Sequence, residues 1–302
     1  MQANHVDEDR LIAHVRGLVH GDPAGSLGIG DDACVWTPGG ATCLSVDGLV
    51  ESRHFTKETP PEAVGRKAAA AALSDLAAMG ARPVGAVVSL HCPTHWDSMA
   101  LMDALISELN RHGCHCFGGD STGSDLLVVS VTVWGEAVEG SRLLSRSGAQ
   151  TGDLLVVTGS LGGSLHKGRH LCPEPRFPEG QWLAQWPATH AMMDLSDGLA
   201  ADAPKLAAAS GCGCLLLPGS VPRHPDVDEH NDPIRQALCD GEDFELLFAI
   251  EAAAWPSLQV EWPFDTAIHS VGWLIEQSGS YVEDPYGRVA PSPFQGFSHR
   301  PR

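Results

Sequence analysis

The sequence predicts an α/β protein of two domains. Three observations carry that prediction. The chain is 302 residues long, and a single hydrophobic core rarely grows that large. Helix-like and strand-like segments alternate along it with short connections. A polar stretch at 140–152, with Ser141, Arg142, Ser145, Arg146, Ser147 and Gly148, separates a first set of elements from a second. The expected domains are 1–140 and 141–302.

The spacing of Leu11, Ile12, Val15 and Leu18 predicts an amphipathic helix over 8–20. Two short strands are expected at 33–36 and 42–46. Pro38-Gly39-Gly40 lies between them, so they read as a hairpin. Pro60-Pro61 opens an alanine-rich helix over 62–79, with Gly80 suited to its C-terminal cap. A strand at 84–90, a helix at 97–111 ended by Gly113 and a strand at 126–134 complete the first set. In the second set a strand at 153–158 runs into the Gly-rich turn Gly159-Ser160-Leu161-Gly162-Gly163. A helix at 199–210 and strands at 214–217, 244–250 and 266–271 follow. The tail from Asp284 is rich in Pro, Gly and Ser and is expected to be irregular.

Composition narrows the function. Hydrophobic residues make up 43% and charged residues 19%, which is the balance of a folded protein. With 19 basic against 38 acidic residues, the formal net charge is -19. Such a chain repels nucleic acid, and the longest basic stretch, Lys167-Gly168-Arg169-His170, is too short to reverse that. The N-terminal residues are polar, and no apolar run approaches the roughly 20 residues that span a membrane. Nine cysteines form no regular disulfide framework. Reduced thiols and a cytoplasmic location are the expectation.

The acids are placed unevenly. Several lie beside Gly or Ser at the ends of strands: Gly30-Asp31-Asp32, Ser45-Val46-Asp47-Gly48, Gly118-Gly119-Asp120-Ser121, Asp194-Leu195-Ser196-Asp197-Gly198 and Asp240-Gly241-Glu242-Asp243. Any single Asp-Gly is ordinary turn chemistry, and Asp or Ser before a helix is an ordinary cap. Five such turns in one chain call for more. Asp75 sits inside the alanine-rich helix among apolar neighbours, where a carboxylate is costly unless paired or bound to a metal. Hard cations account for the pattern, since Mg²⁺ takes oxygen ligands and shares them with substrate phosphates. The P-loop, the full Rossmann glycine fingerprint and the protein-kinase motifs are absent.

These residues also carry a resemblance. The segments Gly28-Ile29-Gly30-Asp31-Asp32-Ala33, Ser45-Val46-Asp47, His54-Phe55, Leu73-Ser74-Asp75-Leu76-Ala77-Ala78-Met79-Gly80-Ala81 and Gly118-Gly119-Asp120 resemble thiamine-monophosphate kinase. So do Arg146-Ser147-Gly148-Ala149, Asp194-Leu195-Ser196-Asp197-Gly198-Leu199 and Gly241-Glu242-Asp243-Phe244-Glu245-Leu246. They keep the family's order and cover most of the chain. The resemblance implies an aminoimidazole ribonucleotide synthetase-like fold, each domain a mixed sheet packed with helices. It also implies a homodimer formed through the N-terminal domain, and in-line transfer of the terminal phosphoryl of ATP onto thiamine monophosphate. Magnesium ligands would be Asp32, Asp47, Asp75, Asp120, Asp194 and Asp197, assisted by Ser45 and Val46. Gly119, Asp120, Arg146 and Ser196 would contact ATP. His54 and Glu242 would contact the thiamine phosphate, with Phe294 as the aromatic that stacks on it.

This chain departs from the family pattern in four places. Ala72 stands where Asn precedes Leu-Ser-Asp, Val46 where Thr is common, and Gly123 near a usual Arg. The segment 163–191 is shorter than usual. These changes bear on the acceptor more than on the acids. The alternatives are another ATP-dependent enzyme of the superfamily and a nucleotide-binding protein without catalysis. The cluster His112-Gly113-Cys114-His115-Cys116 and the pair Cys212, Cys214 lack Cys-x-x-Cys spacing and read as packing. Histidines such as His224 and His230 lie in polar loops and read as surface. Trp182 and Trp186, four apart, read as core or interface residues on a helix.

Overall fold

The computed structural model describes residues 8–19, 29 and 33–297. The chain divides into two compact units. One is Met1–Leu76 with Ala81–Val138; the other is Ala77–Gly80 with Glu139–Arg302.

The first unit contains α1 (Glu8–Leu18), β1 (Thr42–Val50), α2 (Pro61–Ala78, whose last two residues group with the second unit), β2 (Ala81–Cys92), α3 (Ser98–Arg111), β3 (His115–Gly123) and β4 (Val128–Ala137). Among the described residues the sheet order is β1-β4-β2-β3, antiparallel except for the β2–β3 pair. The expected hairpin between 33–36 and 42–46 does not form. Val35 takes part only in a bridge, and β1 instead pairs along its length with β4, Ser45 opposite Val133 and Asp47 opposite Val131. The reason lies in β4, where Val129, Val131 and Val133 alternate inward and offer a long apolar ladder that a four-residue partner cannot match.

Alanine builds α2 and also lets it be buried on almost every side: residues 68–72 are all inside. Gly65 marks its closest approach to α3, since a Cβ there would lie 2.1 Å from the Leu101 carbonyl oxygen. Asp97 caps α3, its carboxylate accepting from the Met99 and Ala100 amides. Cys114 and Cys116 are both buried, as packing requires.

The second unit contains β5 (Leu154–Thr158), α4 (Phe177–Gln185), β6 (Thr189–Asp194), α5 (Leu199–Ala209), β7 (Gly213–Leu216), α6 (Pro233–Cys239), β8 (Leu246–Ile250), α7 (Trp255–Glu261), β9 (Ile268–Ile275), β10 (Ser280–Glu283) and β11 (Val289–Pro291). Its sheet order among the described residues is β11-β10-β7-β9-β5-β8-β6. The short β11 lies in the tail expected to be irregular. Period-two alternation splits β5 and β8 between two cores. Leu155, Val157, Leu247 and Ala249 face one with Leu199, Ala203 and Leu206 of α5; Leu154, Val156, Leu246, Phe248 and Ile250 face the other with Leu183 of α4 and Leu258 of α7. A sheet covered on both faces explains why these strands read as unbroken apolar runs. Trp182 and Trp186 stack at 5.8 Å and pack on the second core.

All nine cysteines are free thiols. No helix among the described residues is long and apolar enough to cross a membrane.

Candidate active site

In the first unit, Ser45 of β1 and Asp75 of α2 meet. The Ser45 hydroxyl donates to Asp75 Oδ2 at 2.5 Å. Asp47 lies two residues further along the same strand face as Ser45, its Oδ1 accepting from the Gly48 amide. The acids expected at strand ends are thus inside strands, because β1 and β3 extend past their motifs. Asp120 is exposed on β3, the opposite edge of the sheet from β1. Asp47 is level with Gly119 through Val131 and Val88, so three strand spacings separate the two edges, about 14 Å. Asp120 therefore does not join the Ser45–Asp75 pair within this sheet. Val46 points to the other face of β1 and is exposed. Asp32 lies outside the described residues.

Gly119 has a steric cause: a Cβ there would sit 1.9 Å from the Val88 carbonyl oxygen. Beside it a cleft of about 320 Å³ is lined by Val87, Leu90, Met102, Phe117, Gly119 and Asp120, among others. Its walls are apolar and its acid is exposed.

His54 sits in a tight turn after β1. Its amide donates to the Val50 carbonyl at 3.1 Å, and its Nδ1 accepts from the Val50 amide at 2.9 Å. Glu51, buried, anchors the turn by accepting from the Leu127 amide at 3.0 Å and from Trp96 Nε1 at 3.1 Å.

In the second unit two distant motifs are stitched together by backbone bonds. The Leu195 amide donates to the Glu245 carbonyl at 2.8 Å, the Phe244 amide to Leu195 at 2.9 Å, and the Glu242 amide to Ser196 at 2.7 Å. Asp194 ends β6 and is nearly buried. Asp202, buried in α5, accepts from the Ser196 and Asp197 amides at 3.1 and 2.9 Å. Lys205 bridges Asp197 at 2.5 Å and Asp202 at 2.7 Å. Burial raises the Asp202 carboxyl above its ordinary range, and Lys205 pulls against that.

The Gly241–Glu245 stretch is strained and clamped. Glu242 and Phe244 both have φ of 52°, a left-handed backbone that side chains other than glycine rarely adopt. Two arginines outside the sequence motifs hold the stretch in place. Arg176 grips Glu245 with two bonds, at 2.8 Å from Nε and 2.5 Å from the terminal nitrogen. Arg169 reaches Asp243 at 2.7 Å. Burial pushes the Asp243 carboxyl up to about 7, with the Arg169 guanidinium acting against the shift. Gly159 is small for a reason here too, since a Cβ would lie 2.2 Å from Glu245 Oε1. A cleft of about 260 Å³ opens beside Arg169, Arg176, Glu242 and Ser160.

Residues 30–137 match the family model described as AIR synthase related protein, N-terminal domain. A thiamine-monophosphate kinase of Rhodopirellula baltica is 35% identical over 97% of this chain and 97% of its own. This chain belongs to the thiamine-monophosphate kinase family. The thiamine-monophosphate kinase structure from Stenotrophomonas maltophilia K279a superposes with a TM-score of 0.78 at 30% identity, covering 93% of this chain and 96% of that one. The structure of AaThiL complexed with AMPPCP and TMP gives a TM-score of 0.74 at 29% identity, covering 86% and 87%.

Arg146 is exposed in the second unit, its carbonyl bonded to the Ser210 hydroxyl at 3.2 Å. Phe294 is half-buried and packs on the core beside α5. Phe297, three residues on, is 53% exposed, and its amide donates to the Asp197 carbonyl at 2.9 Å. The two aromatics thus differ in exposure, which sequence position alone does not reveal. Among the described residues, no three His, Cys, Asp or Glu side chains converge as a metal-binding group.

Proposed function

We propose that this chain phosphorylates thiamine monophosphate to thiamine diphosphate, using ATP and Mg²⁺ in a direct in-line transfer. One observation carries the reading. Ser196, the expected ATP contact, and Glu242, the expected acceptor contact, are joined by a backbone hydrogen bond of 2.7 Å. Direct transfer needs two bound substrates side by side, and this pairing sets their contacts side by side.

The donor set fits magnesium. Asp32, Asp47, Asp75, Asp120, Asp194 and Asp197 would offer hard oxygen ligands, and the Ser45 hydroxyl and the Val46 carbonyl would add two more. Bound Mg²⁺ would neutralise charge on the phosphate oxygens during transfer. Each ion would complete its shell with phosphate oxygens and water. Arg146 is a fixed cation for ATP phosphates. Gly119 and Asp120 border a cleft whose apolar walls suit a base. His54 would donate to the acceptor's phosphate. Glu242 and an aromatic, Phe297 in preference to Phe294, would hold the thiamine moiety. A homodimer through the N-terminal domain is supported by Leu44 and Val46, exposed and apolar on the outer face of β1. The N-terminal domain would bind metal and ATP, and the C-terminal domain would complete the substrate site.

The test is purified protein with ATP, Mg²⁺ and thiamine monophosphate. Thiamine diphosphate and ADP should appear in equal amounts; ADP without thiamine diphosphate would overturn the assignment. Asp75→Asn should cut turnover by at least about 100-fold, as loss of a metal-binding oxygen would. Unchanged turnover in that variant would remove Asp75 from the metal site.

A further inference from the structure

Lys67 is fully buried inside α2, followed by a run of buried alanines at 68–72. A buried ammonium is expensive unless hydrogen-bonded. Methionine would fill a similar volume without a charge, so packing alone does not explain a lysine here. Its Nζ donates to the His54 carbonyl at 2.8 Å. The amine thus reaches from the long helix to the turn that carries an expected acceptor contact.

That turn is unusually constrained. Ser52 has φ of 65°, and its amide donates to the Phe55 carbonyl at 2.8 Å. Glu51 holds one side of the turn through Leu127 and Trp96. Lys67 holds the other side through the backbone of His54 itself. The His54 ring is fixed as well, because Nδ1 accepts from the Val50 amide. A nitrogen that accepts a hydrogen bond carries no proton, so the ring proton belongs on Nε2.

We infer that Lys67 is a positioning residue, whose buried ammonium locks the His54 turn so that the imidazole is presented as a neutral ring with its proton on Nε2. A neutral N–H donor at a fixed place suits a phosphate oxygen. The inference rests on the proposed role of His54 toward the acceptor, and its test separates the two ideas.

The experiment uses the full chain labelled with ¹⁵N. Ring signals of His54, assigned by their loss in His54→Gln, should show a protonated Nε2 and a bare Nδ1 at neutral pH. In Lys67→Met the same ring should show tautomer exchange or a second population. A wild-type ring protonated on Nδ1, or a Lys67→Met ring identical to wild type, overturns the inference. In steady-state kinetics, Lys67→Met should raise KM for thiamine monophosphate about tenfold and leave KM for ATP within about twofold. An equal rise in both constants marks a merely structural role and also overturns it. Circular dichroism checks that the variant folds. Where it does not, Lys67→Gln, which keeps a neutral donor on a shorter stem, replaces it in both measurements. A wild-type protein inactive on thiamine monophosphate would defeat the functional reading alone, and the ring signals would still decide the role of Lys67.

Discussion

The turn that carries His54 and the stretch that carries Glu242 solve one problem by different means. Each holds an expected acceptor contact on or beside left-handed backbone, at Ser52 in the first unit and at Glu242 and Phe244 in the second. The His54 turn is fixed by hydrogen bonds to a buried carboxylate and from one buried amine. The Glu242 stretch is fixed by two guanidinium–carboxylate pairs, Arg176 with Glu245 and Arg169 with Asp243. Backbone and ring partners confer geometry. Paired charges confer geometry too, but they tie it to pH and make each partner depend on the other.

The largest effect that sharpens this contrast is expected at Arg176. Arg176→Met leaves the nearly buried Glu245 without its two-pronged partner and should cost about 3 kcal/mol of stability in urea unfolding. A loss below about 1 kcal/mol would show that the clamp contributes little. Next comes a pH dependence at Asp243, which burial holds up at about 7. An unfolded aspartate titrates near about 3.9. Between those values the native state holds a proton that the unfolded chain has released. The Asp243 contribution therefore erodes stability as pH rises through that window, and levels off above it. Arg169 opposes the erosion by favouring the ionised form. Arg169→Met should accordingly destabilise more at pH 8 than at pH 5, and equal losses at both would break the assignment. The smallest effect belongs to the first unit. Glu51→Gln keeps an acceptor oxygen for Leu127 and Trp96, so thermal unfolding should register a loss of about 1 kcal/mol.

Much of this was legible in the residues. The alanine run announced α2, and Asp75 within it announced a carboxylate with a purpose; Ser45 proved to be a partner. The Asp194 and Gly241 motifs were visible separately, but their stitching was not, because no local pattern encodes a contact across some fifty positions. The hairpin expected at 33–46 does not form, for a related reason. Pro38-Gly39-Gly40 is a real turn signal, yet β4, ninety residues away, offered the better ladder. Arg169 read only as part of a short basic stretch, and its reach to Asp243 depends on a fold that brings residues 74 apart together. Lys67 was hidden in the same way: its neighbours declare burial, while its partner lies in another element.

The left-handed backbone at Glu242 has a consequence for how such a sequence drifts. Holding an ordinary side chain at φ of 52° costs about 1 kcal/mol or more, and glycine would escape that cost. Selection for heat resistance acting on the backbone alone would draw position 242 toward glycine. A glutamate that persists there under such selection is one whose side chain offsets that backbone cost.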